Sequence, residues 1–295
     1  MRCRRRTDGS PDRTGLQVST ARRAWYGVAR SVALPLALAF ASIAAGCGAA
    51  SQVKLSEGSH EVAHSAGLGP RRLMSVAPRC TAGAESLRSA RFAYAAVVPS
   101  AAVVHREPRA GSPVISRFGR LDVNGFQTVF GVVATHTSRS CKPDWYRVQL
   151  SVLPNGTTGW VRAWAVRTYR VPARIVISIR HRTLTLYRYG KRVLQVPVGV
   201  GATATPTPVG RFFVNERYVL SNDTGPFGPA ALGISAHSTV LQKTWVEDGP
   251  IGVHGTNEPW SIGQAASHGC VRLDNDVMRR LFPLAPAGTP VQILG

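Results

Sequence analysis

The chain has 295 residues, with 36 Lys and Arg against 15 Asp and Glu, a formal net charge of +21, and 44% hydrophobic residues. That length allows one large or two modest domains with a sizeable core. A positive surplus draws a protein to polyanions, but no basic–aromatic motif of a nucleic-acid reader occurs here, so nucleic acid is not an expected partner.

Residues 1–46 do not read as fold. Eight arginines from Arg2 to Arg30 open the chain, an apolar run from Val32 to Ala45 follows, and Ala44-Ala45-Gly46-Cys47 closes the segment. A basic region, an apolar region and small residues are the parts of a secretory signal. Small residues directly before Cys47 also resemble a lipoprotein box, which predicts lipidation of Cys47 and a membrane-anchored protein outside the cytoplasm. An ordinary signal peptide cut nearby is the alternative. The apolar run is shorter than the roughly 20 residues of a spanning helix. Asp8 and Asp12 offset two of the eight arginines, so the rest of the chain keeps +15 of the +21. Residues 47–92 are rich in Ala, Ser and Gly and read as a linker.

From 93 to 170 short β-rich runs alternate with turn signals. The runs are Ala101–His105, Val114–Phe118, Thr128–Thr135, Trp145–Leu150 and Gly159–Val166, with Asn124-Gly125 and Asn155-Gly156 among the turns. Closely spaced short strands predict a small barrel. Asp144-Trp145-Tyr146-Arg147-Val148 and Gly159-Trp160-Val161 resemble bacterial Src-homology-3-like modules. Trp145, Trp160 and Trp164 are either groove-lining aromatics or core and rim residues.

Residues 173–295 begin with three alternating runs, Arg174–Ile179, Thr183–Tyr189 and Val193–Val198, which predict a meander with Ile175, Ile177 and Ile179 on one face. Thr207-Pro208-Val209-Gly210 leads into the strand Arg211–Val214. Gly225-Pro226-Phe227-Gly228-Pro229 is a loop before Ala231–Ile234. One helix is expected near Asn275 to Leu281, capped by Asp274.

The chemistry concentrates in Ile251–Leu273. His254 is followed by Gly255, and sixteen residues after His254 stands Cys270, preceded by Ser267, His268 and Gly269. A thiol is nucleophilic as thiolate, and an imidazole is the usual means of making one near neutral pH. One cysteine and two histidines fall short of a zinc site, so no metal is expected. Backbone amides at Gly269 and Cys270 are oxyanion candidates. Arg272 places a positive charge beside the thiol.

His254-Gly255 followed by Ser267-His268-Gly269-Cys270-Val271-Arg272 resembles the L,D-transpeptidase catalytic domain of bacterial cell-wall enzymes, and so does the Thr-Pro-x-Gly-x-Phe run at 207–212. The resemblance implies a mostly β fold: a small barrel, then a β-sandwich with one short helix. It also implies Cys270 as nucleophile, His254 as proton donor and acceptor, and Gly255 as its orienter through the backbone carbonyl. Glu258 is a second candidate for that orienting role. His268 supports by packing or polarising near Cys270, while Arg272 and Ser267 contact substrate. No cofactor is implied. The expected partners are peptidoglycan stem peptides, with anionic wall polymers or a membrane surface as charge partners. The implied product is a 3→3 cross-link. A carboxypeptidase or a protein-to-wall ligase on the same acyl-enzyme, and an inactive wall-binding module, are the other readings.

Five cysteines then divide by role. Cys3 lies in the signal, Cys47 is the lipidation site and Cys270 the nucleophile, which leaves Cys80 and Cys141 as an even pair for a disulfide in an oxidising compartment. Two free buried thiols are the alternative.

Overall fold

Alternating apolar residues and frequent turn formers build two sheets in succession. The computed structural model describes residues 83–295 apart from positions 88, 140 and 242–248. Residues 1–46, read above as a secretory signal, and Cys47 and Cys80 lie outside the described residues.

The first sheet comprises β1 (Gly83–Ser86), β2 (Ala93–Val97), β3 (Ala101–His105), β4 (Val114–Gly119), β5 (Val129–Thr137), β6 (Pro143–Gln149), β7 (Thr158–Arg162) and β8 (Arg167–Val171), in the order β4-β3-β7-β6-β5-β2-β8 with β1 also on β5. Part of the stretch read as linker is therefore strand: β1 pairs with β5 over Gly83–Ser86. The run expected through Val166 ends at Arg162, and a 3-10 turn covers Ala163–Ala165. Val104, Phe130, Val148, Leu150 and Val161 form the core of this sheet. The three tryptophans differ in exposure. Trp145 is buried beneath the Arg162 guanidinium, 4.1 Å from the ring centre. Trp160 is half-buried and Trp164 exposed. Cys141 is disulfide-bonded.

The second sheet holds β9 (Ala173–Ser178), β10 (Thr183–Arg188) and β11 (Lys191–Pro197). A short β12 (Val200–Gly201) follows. Next come β13 (Gly210–Val219), β14 (Ala230–His237), β15 (Pro250–His254), β16 (Ala265–Ser267), β17 (Val271–Arg272) and β18 (Pro290–Leu294). Its order is β11-β10-β9-β18-β13-β14-β15-β17, while β12 pairs with β16. The one α-helix among the described residues, α1 (Asn275–Leu281), starts where the sequence places it, and the Asp274 side chain accepts from the Asp276 amide at 2.9 Å. The mostly β architecture with one short helix is as expected. Ile175 and Ile177 are fully buried and Ile179 packs against the same core. Each such side chain contributes about 1.5–3 kcal/mol by leaving water.

The two sheets share a boundary. Ala95, Val129 and Val171 of the first belong to the core cluster of the second. The Gln149 amide donates to the Arg211 carbonyl. The Asn155 side chain copies a strand pairing: its Nδ2 donates to the His237 carbonyl at 2.7 Å and its Oδ1 accepts the His237 amide at 2.9 Å. Gly288 sits where the sheets meet, with φ +81° and no room for a methyl, since a Cβ there would lie 2.1 Å from Ala95 Cβ. Replacing Gly288 by Ala combines left-handed strain with overpacking, and is expected to cost about 3 kcal/mol in chemical denaturation. A loss under about 0.5 kcal/mol, the size of an ordinary surface substitution, would show that the boundary is soft.

Candidate active site

Strand periodicity places the thiol and the imidazole together. β15 and β17 are parallel, with Val253 opposite Val271 and His254 opposite Arg272. Both valines are fully buried on the core face. Alternation then puts Gly252 and His254 of one strand, and Cys270 and Arg272 of the other, on the opposite face. The Gly252 amide donates to Cys270 Sγ at 3.4 Å, which seats the sulfur two residues from His254.

His254 is 4% exposed, and its Nδ1 lies 2.5 Å from the Gly255 carbonyl oxygen. A carbonyl only accepts, so Nδ1 carries the hydrogen and Nε2 of the neutral ring keeps its lone pair. The Gly255 carbonyl is thus the hydrogen-bond partner of the ring. A side chain at 255 would meet Asn275 Oδ1 at 2.3 Å and Pro229 Cδ at 2.8 Å. Asn275 staples this turn: its Oδ1 accepts the Thr256 amide at 2.8 Å, and its Nδ2 donates to the Asp223 carbonyl at 3.1 Å. Phe227 stands edge-on to the imidazole with ring centres 4.9 Å apart.

The turn before the cysteine is held internally. Ser267 is buried, its hydroxyl donates to the Cys270 carbonyl at 2.6 Å, and it accepts the Gly269 amide at 3.1 Å. Ser267 is thus tied into its own turn. The Gly269 amide is committed to that hydroxyl. Gly269 has φ +112°, a conformation that favours glycine. His268 lies on the exposed side of this turn. Glu258 does not orient His254: its carboxylate pairs with Arg272. Arg272 remains close enough to act electrostatically on both His254 and Cys270.

A family model described as the YkuD L,D-transpeptidase catalytic domain matches residues 172–293. The YkuD protein of Bacillus subtilis is 37% identical over 125 residues, which cover 42% of this chain and 68% of that protein. This chain belongs to the YkuD L,D-transpeptidase family. The YkuD protein of Bacillus licheniformis is 38% identical over 123 residues, covering 42% of this chain and 66% of that protein. The chain thus spans about two thirds of the length of these relatives. Among solved structures, an L,D-transpeptidase from Mycobacterium smegmatis aligns at 16% identity over 57% of this chain and 91% of that one, with a TM-score of 0.35.

In this L,D-transpeptidase domain, Phe227, Asn275 and Gly252 are site residues that no local pattern announces. Phe227 and Asn275 lie 27 residues before and 21 after His254, in a loop and a helix start that read as ordinary punctuation. Burial, first, and then the nearby Arg272 charge depress the His254 pKa to about 4, against the opposing pull of the Gly255 carbonyl. Burial pushes the Cys270 thiol up, opposed by the Gly252 amide and by Arg272. The resting pair is consequently neutral thiol and neutral imidazole.

Two measurements check this. Between the unfolded imidazole value of about 6.5 and the folded value of about 4, the unfolded chain binds more protons. The contribution is complete above pH 6.5 and is lost as pH falls toward 4. Wild type should lose roughly 3 kcal/mol more stability across that window than His254→Gln, measured by denaturation at each pH. Parallel slopes would contradict a buried neutral imidazole. In addition, iodoacetamide alkylation of Cys270 should rise with an apparent pKa above the ordinary thiol value, and a profile already flat at neutral pH would mean a preformed thiolate.

Proposed function

We propose that the protein is an exported peptidoglycan L,D-transpeptidase that works through a thioester on Cys270. The observation that carries this reading is the shared sheet face, where His254 keeps a bare Nε2 and the Gly252 amide touches Cys270 Sγ. Sγ attacks the carbonyl carbon of a tetrapeptide stem at the L-centre of diaminopimelate, and its proton passes to Nε2 of His254. The Cys270 amide hydrogen-bonds the oxyanion, and the Arg272 charge stabilises the same developing negative charge. Collapse breaks the C–N bond to D-Ala, whose amine takes the proton from Nε2 and leaves. A side-chain amine of a second stem then attacks the thioester, Nε2 takes its proton, and the proton returns to Sγ as the new amide forms. The product is a 3→3 cross-link, and the cycle needs no metal or cofactor.

Arg272 meets a substrate carboxylate only in competition with Glu258, so its main part here is charge stabilisation. The signal-like segment 1–46 and Cys47 support export and a lipid anchor at the cell envelope, facing the wall. The Trp-Tyr and Gly-Trp-Val runs of the first sheet support a Src-homology-3-like role in holding the catalytic domain at the wall.

The test is intact-protein mass spectrometry of the purified protein with a carbapenem, wild type beside Cys270→Ala. One stoichiometric adduct on wild type alone is expected. A folded wild type without an adduct would remove the activated thiol and leave the inactive wall-binding reading. Incubation with tetrapeptide stems should then yield a cross-linked dimer when an acceptor amine is present. Tripeptide alone, with acceptor in excess, would reassign the enzyme as an L,D-carboxypeptidase.

A further inference from the structure

Away from the cysteine, residues 89–93 cross the end of the β10–β11 hairpin and enclose a cavity of about 160 Å³. Three arginines line it: Arg91 from the crossing segment, Arg174 from β9 and Arg211 from β13. No acidic residue lines it. The crossing segment is seated firmly, with Phe92 edge-on to Tyr189 at 5.8 Å between ring centres and the Ala90 carbonyl against Gly190.

Around the cavity Arg91, Arg170 and Arg174 lie on aromatic rings rather than against carboxylates. Arg174 covers Tyr187 at 4.7 Å, and Arg91 and Arg170 approach Phe92 at 6.0 and 5.7 Å. None of these arginines, nor Arg211, makes an ion pair among the described residues. The acids are committed elsewhere: Glu258 to Arg272, Asp223 and Asp276 to Arg279, Glu107 to Arg109, and Asp144 to His136. The Arg174 Nε is buried with no acceptor. Stacking occupies the face of a guanidinium and leaves its N–H edge directed outward, the arrangement that suits a forked anion.

We propose that this cavity is a binding site for a phosphate group, separate from the catalytic centre. Three clustered positive charges exceed what one carboxylate neutralises, whereas a phosphate dianion or a pyrophosphate offers two or more charges and several acceptor oxygens. The bound group bridges Arg91 of the first sheet's leading segment to Arg174 and Arg211 of the second sheet. Occupancy therefore ties the crossing segment to the transpeptidase domain and is readable as thermal stability.

Pyrophosphate titrated into the purified full-length chain at constant ionic strength tests this, with the Arg91→Gln/Arg211→Gln double variant alongside. Both of those arginines are exposed, so the variant keeps its core. At about ten times its dissociation constant, pyrophosphate should raise the wild-type Tm by about 3 °C. It should leave the variant's Tm unmoved. No shift in wild type, or an equal shift in both proteins, overturns the assignment. The source of the phosphate is read by co-sedimentation with phosphatidylglycerol vesicles against phosphatidylcholine vesicles. Arginine-dependent sedimentation with the former identifies a lipid headgroup. A pyrophosphate shift without sedimentation identifies a free or polymer-borne phosphate.

Discussion

The parallel pairing of β15 with β17 is the constraint on which the active centre depends. Two buried valines, Val253 and Val271, lock that register from the core side. Because side chains alternate along a strand, the same lock determines the outer face, where Gly252, His254, Cys270 and Arg272 stand together. A slip of one residue would turn both valines off the core face and carry the imidazole and the guanidinium into it, an exchange of large unfavourable free energy. The catalytic pair is thus placed by hydrophobic burial behind it rather than by any bond between its members. The loops add the finer aim: the Gly255 carbonyl selects the tautomer, Asn275 holds that turn, and Ser267 holds the turn that delivers the thiol.

The electrostatics follow from the same burial. Desolvation penalises the charged form of both groups, lowering the imidazole and raising the thiol. Arg272 adds a positive charge that disfavours imidazolium and favours thiolate, and Glu258 tempers it from the more exposed side. In the proposed reaction, the proton transfer that creates the nucleophile coincides with the development of the oxyanion.

The first sheet is more than an appendage. It contributes Ala95, Val129 and Val171 to the second sheet's core, and its Gln149 and Asn155 side chains satisfy backbone groups of β13 and β14. The cation-rich cavity sits along this same boundary, where Arg91 meets Arg174 and Arg211. Basic residues without acidic partners are costly to hold close together. Arg91 and Arg174 lie on aromatic rings, whose faces substitute in part for counter-charge.

The spacing of His254-Gly255 and Cys270, most strand runs between Ala101 and Ile234 and the Asp274-capped helix were legible in the sequence, because each rests on local pattern: residue spacing, alternation and capping chemistry; the strands β2, β8, β12 and β15 to β18 were not named there. The strand Gly83–Ser86 was not, since its pairing with β5 lies some fifty residues away and its own composition reads as linker. Nor could sequence reveal that Ser267 and the Gly269 amide are spent on their own turn, that Glu258 faces Arg272, or that Phe227 and Asn275 close around His254. Sequence by itself determined the chemistry available, which depends on side-chain type and short-range order. Tertiary structure alone decided which donors remain free and which charges meet, because hydrogen bonds and ion pairs are settled by distances between segments that the chain brings together only on folding.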